Sequence, residues 1–266
     1  MELCSIASGS SGNCIYVGSD TAHILVDAGI SGKRTEQGLN SIGLSCKDID
    51  AIMVTHEHSD HISGLGVLSR RYHIPIYATE KTIQAIQRIS SVGKIEEELF
   101  HTITADKPFM IKDMKINPMY TSHDAVEPVA YRFKHGKKTA AIATDLGTYN
   151  HYTIEGLKEM DVLFLEANHD VNMLQVGSYP YALKQRILGD KGHLSNELSG
   201  KLLDKLVHDK LQAVVLGHLS RENNMPQLAY ETVRLELAMG RHKYRGNEFP
   251  ITVAKREEVS PIIRIA

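Results

Sequence analysis

Short apolar runs, each closed by a polar or glycine-containing stretch, mark the first third of the chain and read as strands. Residues 3–7 and 14–17 are two such runs, joined by the Gly/Ser-rich turn of residues 8–13. Residues 24–29 form another, ending in the carboxylate of Asp27 and in Gly29. A helix is expected over 33–42, with Gly43 as its stop. Residues 50–54 are again apolar and partly β-branched, a buried strand, after which Ile62, Leu65 and Leu68 recur at helical spacing up to Tyr72. A strand at 74–78 and a helix from Glu80 to about Ile89 continue the alternation, which points to an α/β layered architecture. Beyond a polar loop at 90–98 the character changes. Residues 100–103, 109–110, 114–119, 129–133 and 139–143 are short strands with polar turns such as His135-Gly136-Lys137, an antiparallel meander. Strands at 162–165 and 213–216 then alternate with helices near 195–207 and 227–238, and 249–253 and 262–265 close the chain as strands. No low-complexity tract or Pro/Gly/Ser-rich linker cuts this pattern. The expectation is one domain over residues 1–266, two sheets packed face to face with helices outside.

Composition narrows the function classes. The formal charge of −2 gives no global attraction to nucleic acid or anionic membranes, so any polyanion must be held by a local patch or by bound metal. Two basic segments, residues 134–138 and 241–245, are candidates for such a patch if DNA is the substrate. Cys4, Cys14 and Cys46 cannot all pair and show no CxxC spacing, as expected of reduced thiols in a cytoplasmic protein. The chain opens without a basic, signal-like segment, and no apolar run approaches about 18 residues, so neither secretion nor membrane spanning is expected.

The chemistry concentrates in Thr55-His56-Glu57-His58-Ser59-Asp60-His61. Four metal-binding side chains, His56, His58, Asp60 and His61, follow directly on the strand at 50–54. A single zinc ion needs three or four ligands, and four within one turn invite a second ion. Further candidates stand at the ends of other apolar runs: His123 after residues 119–122, Asp145 after 140–144, and His218 after 214–217. His56, His58 and His123 could hold one ion, Asp60, His61 and His218 a second, with Asp145 bridging, which leaves each ion an open position for water or substrate. Asp27 either caps the following helix or sits behind the ligands and accepts an imidazole N–H. The 8–13 loop is either a plain hairpin or an anion-binding nest. His193 is either a helix-start residue or a proton donor to a leaving group. The segment Glu166-Ala167-Asn168-His169-Asp170 reads as a capped helix start or a substrate-facing loop containing His169. Ser220 and Asn223, past His218, offer donors where a phosphate oxygen could lie.

The HxHxDH run with His123, Asp145 and His218 in this order resembles the metallo-β-lactamase superfamily. Residues 7–13, 166–170, 192–195 and 217–220 resemble its bacterial WalJ/YycJ branch. The resemblance implies a four-layer αβ/βα sandwich, two divalent ions (zinc, manganese or iron), and phosphodiester hydrolysis related to ribonuclease Z-type and PhnP-like enzymes. It further implies 5′-exonuclease action on DNA, with Asp60 orienting the nucleophile and His193 protonating the departing alkoxide. Asp145 stands where the main β-lactamase subclass carries Cys, which disfavours β-lactam hydrolysis. The chain also lacks a long exosite insertion of the ribonuclease Z kind and a separate helical carboxy-terminal domain. Hydrolysis of a small cyclic phosphodiester, of a thioester or of a lactone by the same centre is the alternative. A metal-dependent binding module is a third reading, opposed by the complete ligand set.

Overall fold

The computed structural model describes residues 1–246 and 248–266. Two compact units emerge, the first from Met1–Tyr120, Ala125–Lys138 and Lys255–Ala266, the second from Thr121–Asp124 and Thr139–Ala254.

In the first unit the apolar runs become strands β1 (Glu2–Ala7), β2 (Cys14–Gly18) and β3 (His23–Val26), then helix α1 (Gly32–Ser41) and strand β4 (Ala51–Met53). Helices α2 (Ser59–Ile62) and α3 (Leu65–Tyr72), strand β5 (Ile76–Thr79), helix α4 (Glu80–Arg88) and strand β6 (Phe100–Ile103) follow. Strands β7 (Phe109–Ile111), β8 (Met114–Tyr120) and β9 (Val129–His135) form an antiparallel ladder. β1, β2 and β3 pair antiparallel, and β3 to β6 pair parallel. All three residues of β4 are buried, as a strand covered on both faces requires. Leu25, Ile52, Leu65, Leu68 and Ile76 join one apolar cluster beneath the helices, each worth about 1.5–3 kcal/mol on burial.

Two expectations change here. The helix expected from Ile62 to Tyr72 is broken between α2 and α3. Gly64 there donates to the Ala28 carbonyl at 2.7 Å, and a Cβ on it would lie 2.0 Å from the Ile30 carbonyl oxygen. Strand β6 is not part of the antiparallel meander but pairs parallel with β5, because α4 carries the chain back to the same end of the sheet.

The second unit contains strand β10 (Lys138–Ala143), helix α5 (His151–Leu157), strand β11 (Val162–Glu166) and helices α6 (Val171–Val176), α7 (Tyr181–Leu188) and α8 (Asn196–Leu206). Strand β12 (Ala213–Gly217), helix α9 (Pro226–Met239) and strand β13 (Ile251–Val253) complete it. β10 to β13 pair parallel, and every residue of β11 and β12 is buried. Helices α5, α6 and α7 have no counterpart in the apolar pattern, and α7 has no buried residue to create one.

The last segment returns to the first unit. Strand β14 (Ile263–Arg264) pairs antiparallel with β1, Glu2 opposite Arg264 and Leu3 opposite Ile263. Ser260 N–H donates to the Ser5 carbonyl at 2.8 Å along the same edge. Cys4, Cys14 and Cys46 are free and buried. Burial pushes the Cys4 and Cys46 thiols up to about 11 and Cys14 higher still, which keeps them unreactive. Among the described residues no helix is long and apolar enough to cross a membrane.

Candidate metal centre

Apart from His123, which follows the antiparallel strand β8, the candidate ligands of each unit stand at the carboxyl ends of parallel strands, where open α/β sheets place their sites. Asp27 after β3, Asp145 after β10 and His218 after β12 all have left-handed backbone, with φ of 61°, 58° and 56°. That conformation costs most residues energy and recurs at functional sites. It turns the chain sharply and leaves the side chain at the sheet edge.

In the first unit, Asp27 organises the HxHxDH turn. Its carboxylate accepts from the Thr55 N–H and from the Thr55 hydroxyl, each at 2.8 Å, and from His61 Nδ1 at 2.7 Å. Burial pushes the Asp27 carboxyl above its ordinary range, and His61 and Thr55 pull the other way. Because the Thr55 proton goes to Asp27, the Thr55 oxygen accepts from His56 Nδ1 at 3.0 Å. The His56 ring packs 4.1 Å from His61 and 4.5 Å from His58, centroid to centroid. Asp60 sits in the first turn of α2, its Oδ2 3.5 Å from His61 Nε2.

The 8–13 loop links β1 and β2 as a hairpin and buttresses this turn. Asn13 Oδ1 accepts from the Gly9 N–H at 2.9 Å, and the Asn13 backbone N–H donates to the Asp60 carbonyl at 2.8 Å. Gly29 packs against the same carbonyl so closely that a Cβ would lie 1.7 Å from its oxygen.

In the second unit the organiser is Glu166, the last residue of β11 and fully buried. One of its oxygens accepts from His193 Nδ1 at 2.8 Å and from His218 Nδ1 at 2.9 Å. The other accepts from the backbone N–H groups of Leu146 and Leu194 at 2.7 and 3.1 Å. Burial acts to raise this carboxyl, but the two imidazoles outweigh it and hold Glu166 ionised, below the usual carboxylate range. Asp145, Glu166, His193 and His218 each bring a donor atom within 4.8 Å of the others. Asp145 Oδ1 is 3.5 Å from His123 Nε2, while His123 Nδ1 donates to the Gly192 carbonyl at 3.0 Å. Burial lowers the His123 pKa, which favours the neutral ring.

An asparagine network fixes the loops that carry these groups. Asn168 Nδ2 donates to the His218 carbonyl at 2.9 Å, and Asn224 Nδ2 to the Ala167 carbonyl at 2.9 Å. Asn224 and Asn196 exchange amide bonds at 3.0 and 2.9 Å. Ser220 and Asn223 belong to this framework: Ser220 Oγ accepts from the Asn223 N–H at 3.2 Å, and the Asn223 backbone carbonyl accepts from the Asp170 backbone N–H at 2.9 Å. Asp170 caps α6 through Met173 N–H at 2.7 Å, so the segment 166–170 is a capped helix start as well as the carrier of Glu166. His169 is 1 % exposed, and neither ring nitrogen has a hydrogen-bond partner among the described residues.

The donor set suits divalent ions. Four imidazoles, His56, His61, His123 and His218, each engage an oxygen acceptor through Nδ1 and leave Nε2 as the lone-pair nitrogen, the arrangement that orients metal-binding histidines. Nitrogen and carboxylate donors together suit zinc, manganese or iron.

Glu166, Thr55 and Asn13 were not singled out as site residues by sequence reasoning. For Glu166 a signal existed, since a carboxylate closing an apolar buried run needs a partner. Of the two basic segments, the one at 241–245 contributes its Tyr244 to packing, its ring tilted against Phe249 with centroids 4.9 Å apart. In the other, His135 Nε2 pairs with Asp113 at 3.1 Å.

Residues 22–218 match the family model described as a beta-lactamase superfamily domain. The chain is 42 % identical over 233 residues to the exodeoxyribonuclease WalJ of Streptococcus pneumoniae, covering 88 % of this chain and 87 % of that one. It is 40 % identical over 228 residues to the exodeoxyribonuclease YycJ of Bacillus anthracis, covering 86 % of each. Among solved structures it resembles the metallo-beta-lactamase fold protein YhfI from Bacillus subtilis, with 18 % identity, a TM-score of 0.70, and 97 % and 98 % of the two chains covered. The fold is therefore the αβ/βα sandwich of two mixed sheets with helices outside.

Proposed function

Since the chain belongs to the beta-lactamase superfamily, we propose that it is a metal-dependent phosphodiesterase acting on DNA, an exonuclease by type. The observation that carries this reading is the double acceptance by Glu166 from His193 and His218. One buried carboxylate prepares one imidazole to hold a metal and its neighbour to hold a proton.

In this reading residues 1–266 act as one domain, and His56, His58, Asp60, His61, His123, Asp145 and His218 would hold two divalent ions. Such ions, when bound, lower the pKa of water and neutralise phosphoryl oxygens. The remaining work falls to the chain. Asp60 orients the attacking water. His193, its Nδ1 anchored on Glu166, delivers a proton from Nε2 to the departing oxygen. General acid catalysis of this kind contributes about 10²–10⁴-fold. Asp27 keeps His61 in the ligating tautomer. His169 contacts substrate, and Ser220 and Asn223 shape the loop beside the phosphate. The free thiols suit a cytoplasmic location.

The test is hydrolysis of 5′-labelled duplex DNA, bis(p-nitrophenyl) phosphate and a thioester panel by full-length protein reloaded with zinc, manganese or iron. Degradation from the labelled end, abolished by Asp60→Ala and Asp145→Ala in folded protein, is the expected result. Thioester cleavage without phosphodiester cleavage would overturn it.

A further inference from the structure

A cavity of about 370 Å³ lies beside α8, with His193 in its wall. That volume is at the small end of the range for ligand sites, about 300–1,000 Å³. Its lining divides in two. Leu188 and Leu198 each keep 39 % of their surface exposed and supply apolar walls. His169, Glu197 and Lys201 supply polar groups. His169 brings two buried ring nitrogens without partners, and Glu197 Oε2 is likewise buried and unpartnered. Buried polar atoms are rarely left so, and each such case asks for an explanation.

The lining fits no simple anion. Glu197 and Lys201, one helical turn apart on α8, offset each other's charge, and burial pushes the His169 pKa down to about 4, so its ring is neutral near pH 7. A neutral imidazole offers one N–H donor and one lone-pair acceptor, and Glu197 adds another acceptor. A lining that combines a neutral donor and acceptors with apolar side chains matches a heterocyclic base better than a phosphate. His193 places the cavity on the side of the leaving oxygen.

We propose that this cavity receives the nucleobase of the nucleoside that carries the leaving oxygen, its edge met by His169 and Glu197 and its faces by Leu188 and Leu198. The assignment rests on the phosphodiesterase reading above.

The test uses metal-reloaded full-length protein and oligodeoxynucleotides with one abasic tetrahydrofuran residue on either side of the scissile phosphate. The product that keeps the phosphate identifies the leaving side. An abasic residue on the leaving side is expected to lower kcat/KM at least tenfold, and one on the other side less than threefold. Equal effects, or none, overturn the proposal. Leu198→Trp, which fills the cavity from its rim, is expected to reduce the side dependence to below threefold, and an undiminished side dependence counts against this cavity. If no oligonucleotide is cut, the reading of the reaction fails by itself. The cavity is then judged by saturation-transfer NMR with deoxyadenosine and the wild-type protein: transfer to the base protons supports it, and no transfer overturns it.

Discussion

The Glu166 carboxylate accepts the His193 Nδ1–H at 2.8 Å while fully buried. A buried carboxylate on an imidazole fixes the tautomer and supports the protonated ring, the arrangement that makes a histidine a general acid. Glu166→Gln keeps the size but removes the charge, and sets an amide N–H₂ against the N–H groups of Leu146 and Leu194. We expect kcat on DNA to fall about 10²–10³-fold. The loss should be smaller on bis(p-nitrophenyl) phosphate, whose leaving group departs without needing a proton. An equal loss on both substrates would mean that Glu166 serves structure alone.

Asp27→Asn separates ligand orientation from backbone geometry. Asn tolerates the left-handed backbone at φ 61°. The amide therefore retains the turn and loses the charged acceptor on His61 Nδ1. Affinity for zinc, measured against a chelator, should fall about 10–100-fold while circular dichroism is unchanged. Asp27→Ala adds the cost of a left-handed non-glycine residue, about 1–2 kcal/mol, and should lower Tm as well. Equal zinc affinity in the wild type and the Asn variant would remove Asp27 from the site.

His169 makes the metal-free fold sensitive to acid. Its folded pKa of about 4 lies below the ordinary imidazole value of about 6.5, because burial penalises the imidazolium. The unfolded chain therefore binds the extra proton first, and stability falls as pH drops from about 6.5 towards 4. The loss reaches about 3 kcal/mol at its acid end. Urea unfolding in excess chelator should show this slope in the wild type and a shallower one in His169→Gln. Identical slopes would place the acid sensitivity elsewhere.

Gly29 has no room for a side chain, with the Asp60 carbonyl oxygen 1.7 Å from a built Cβ. Gly29→Ala must push the α2 turn away from the 8–13 loop. Overpacking of this kind costs about 1–3 kcal/mol, and the displaced turn should weaken metal binding together with Tm. A variant with native Tm and native zinc affinity would show that the contact relaxes freely.

What the chain reveals before folding follows from how local each signal is. The HxHxDH run is legible because its candidate donors occupy one turn after one apolar strand, and Asp27, Asp145 and His218 because each directly follows an apolar run. Glu166 was harder to read. Its partners His193 and His218 lie 27 and 52 positions away, and the neighbouring Asp170 gave the segment a sufficient local account as a helix cap. The direction of β6 was illegible because alternation in a strand carries no sign of parallel or antiparallel pairing, which α4 decides. The break after α2 depends on how near Gly64 comes to the Ile30 carbonyl, a distance absent from residue type. Helix α7 buries nothing and so leaves no periodicity to find.

The pairing of β14 with β1 bears on how the protein is made. The first unit takes its edge strand from residues 263–264, so a nascent chain that has only reached residue 250 presents β1 with that side bare. An unpaired strand is a template for another chain. During synthesis this edge is therefore sealed only after residues 263–264 have emerged, and a truncation ending before Ser260 should aggregate while its ligand set is still complete.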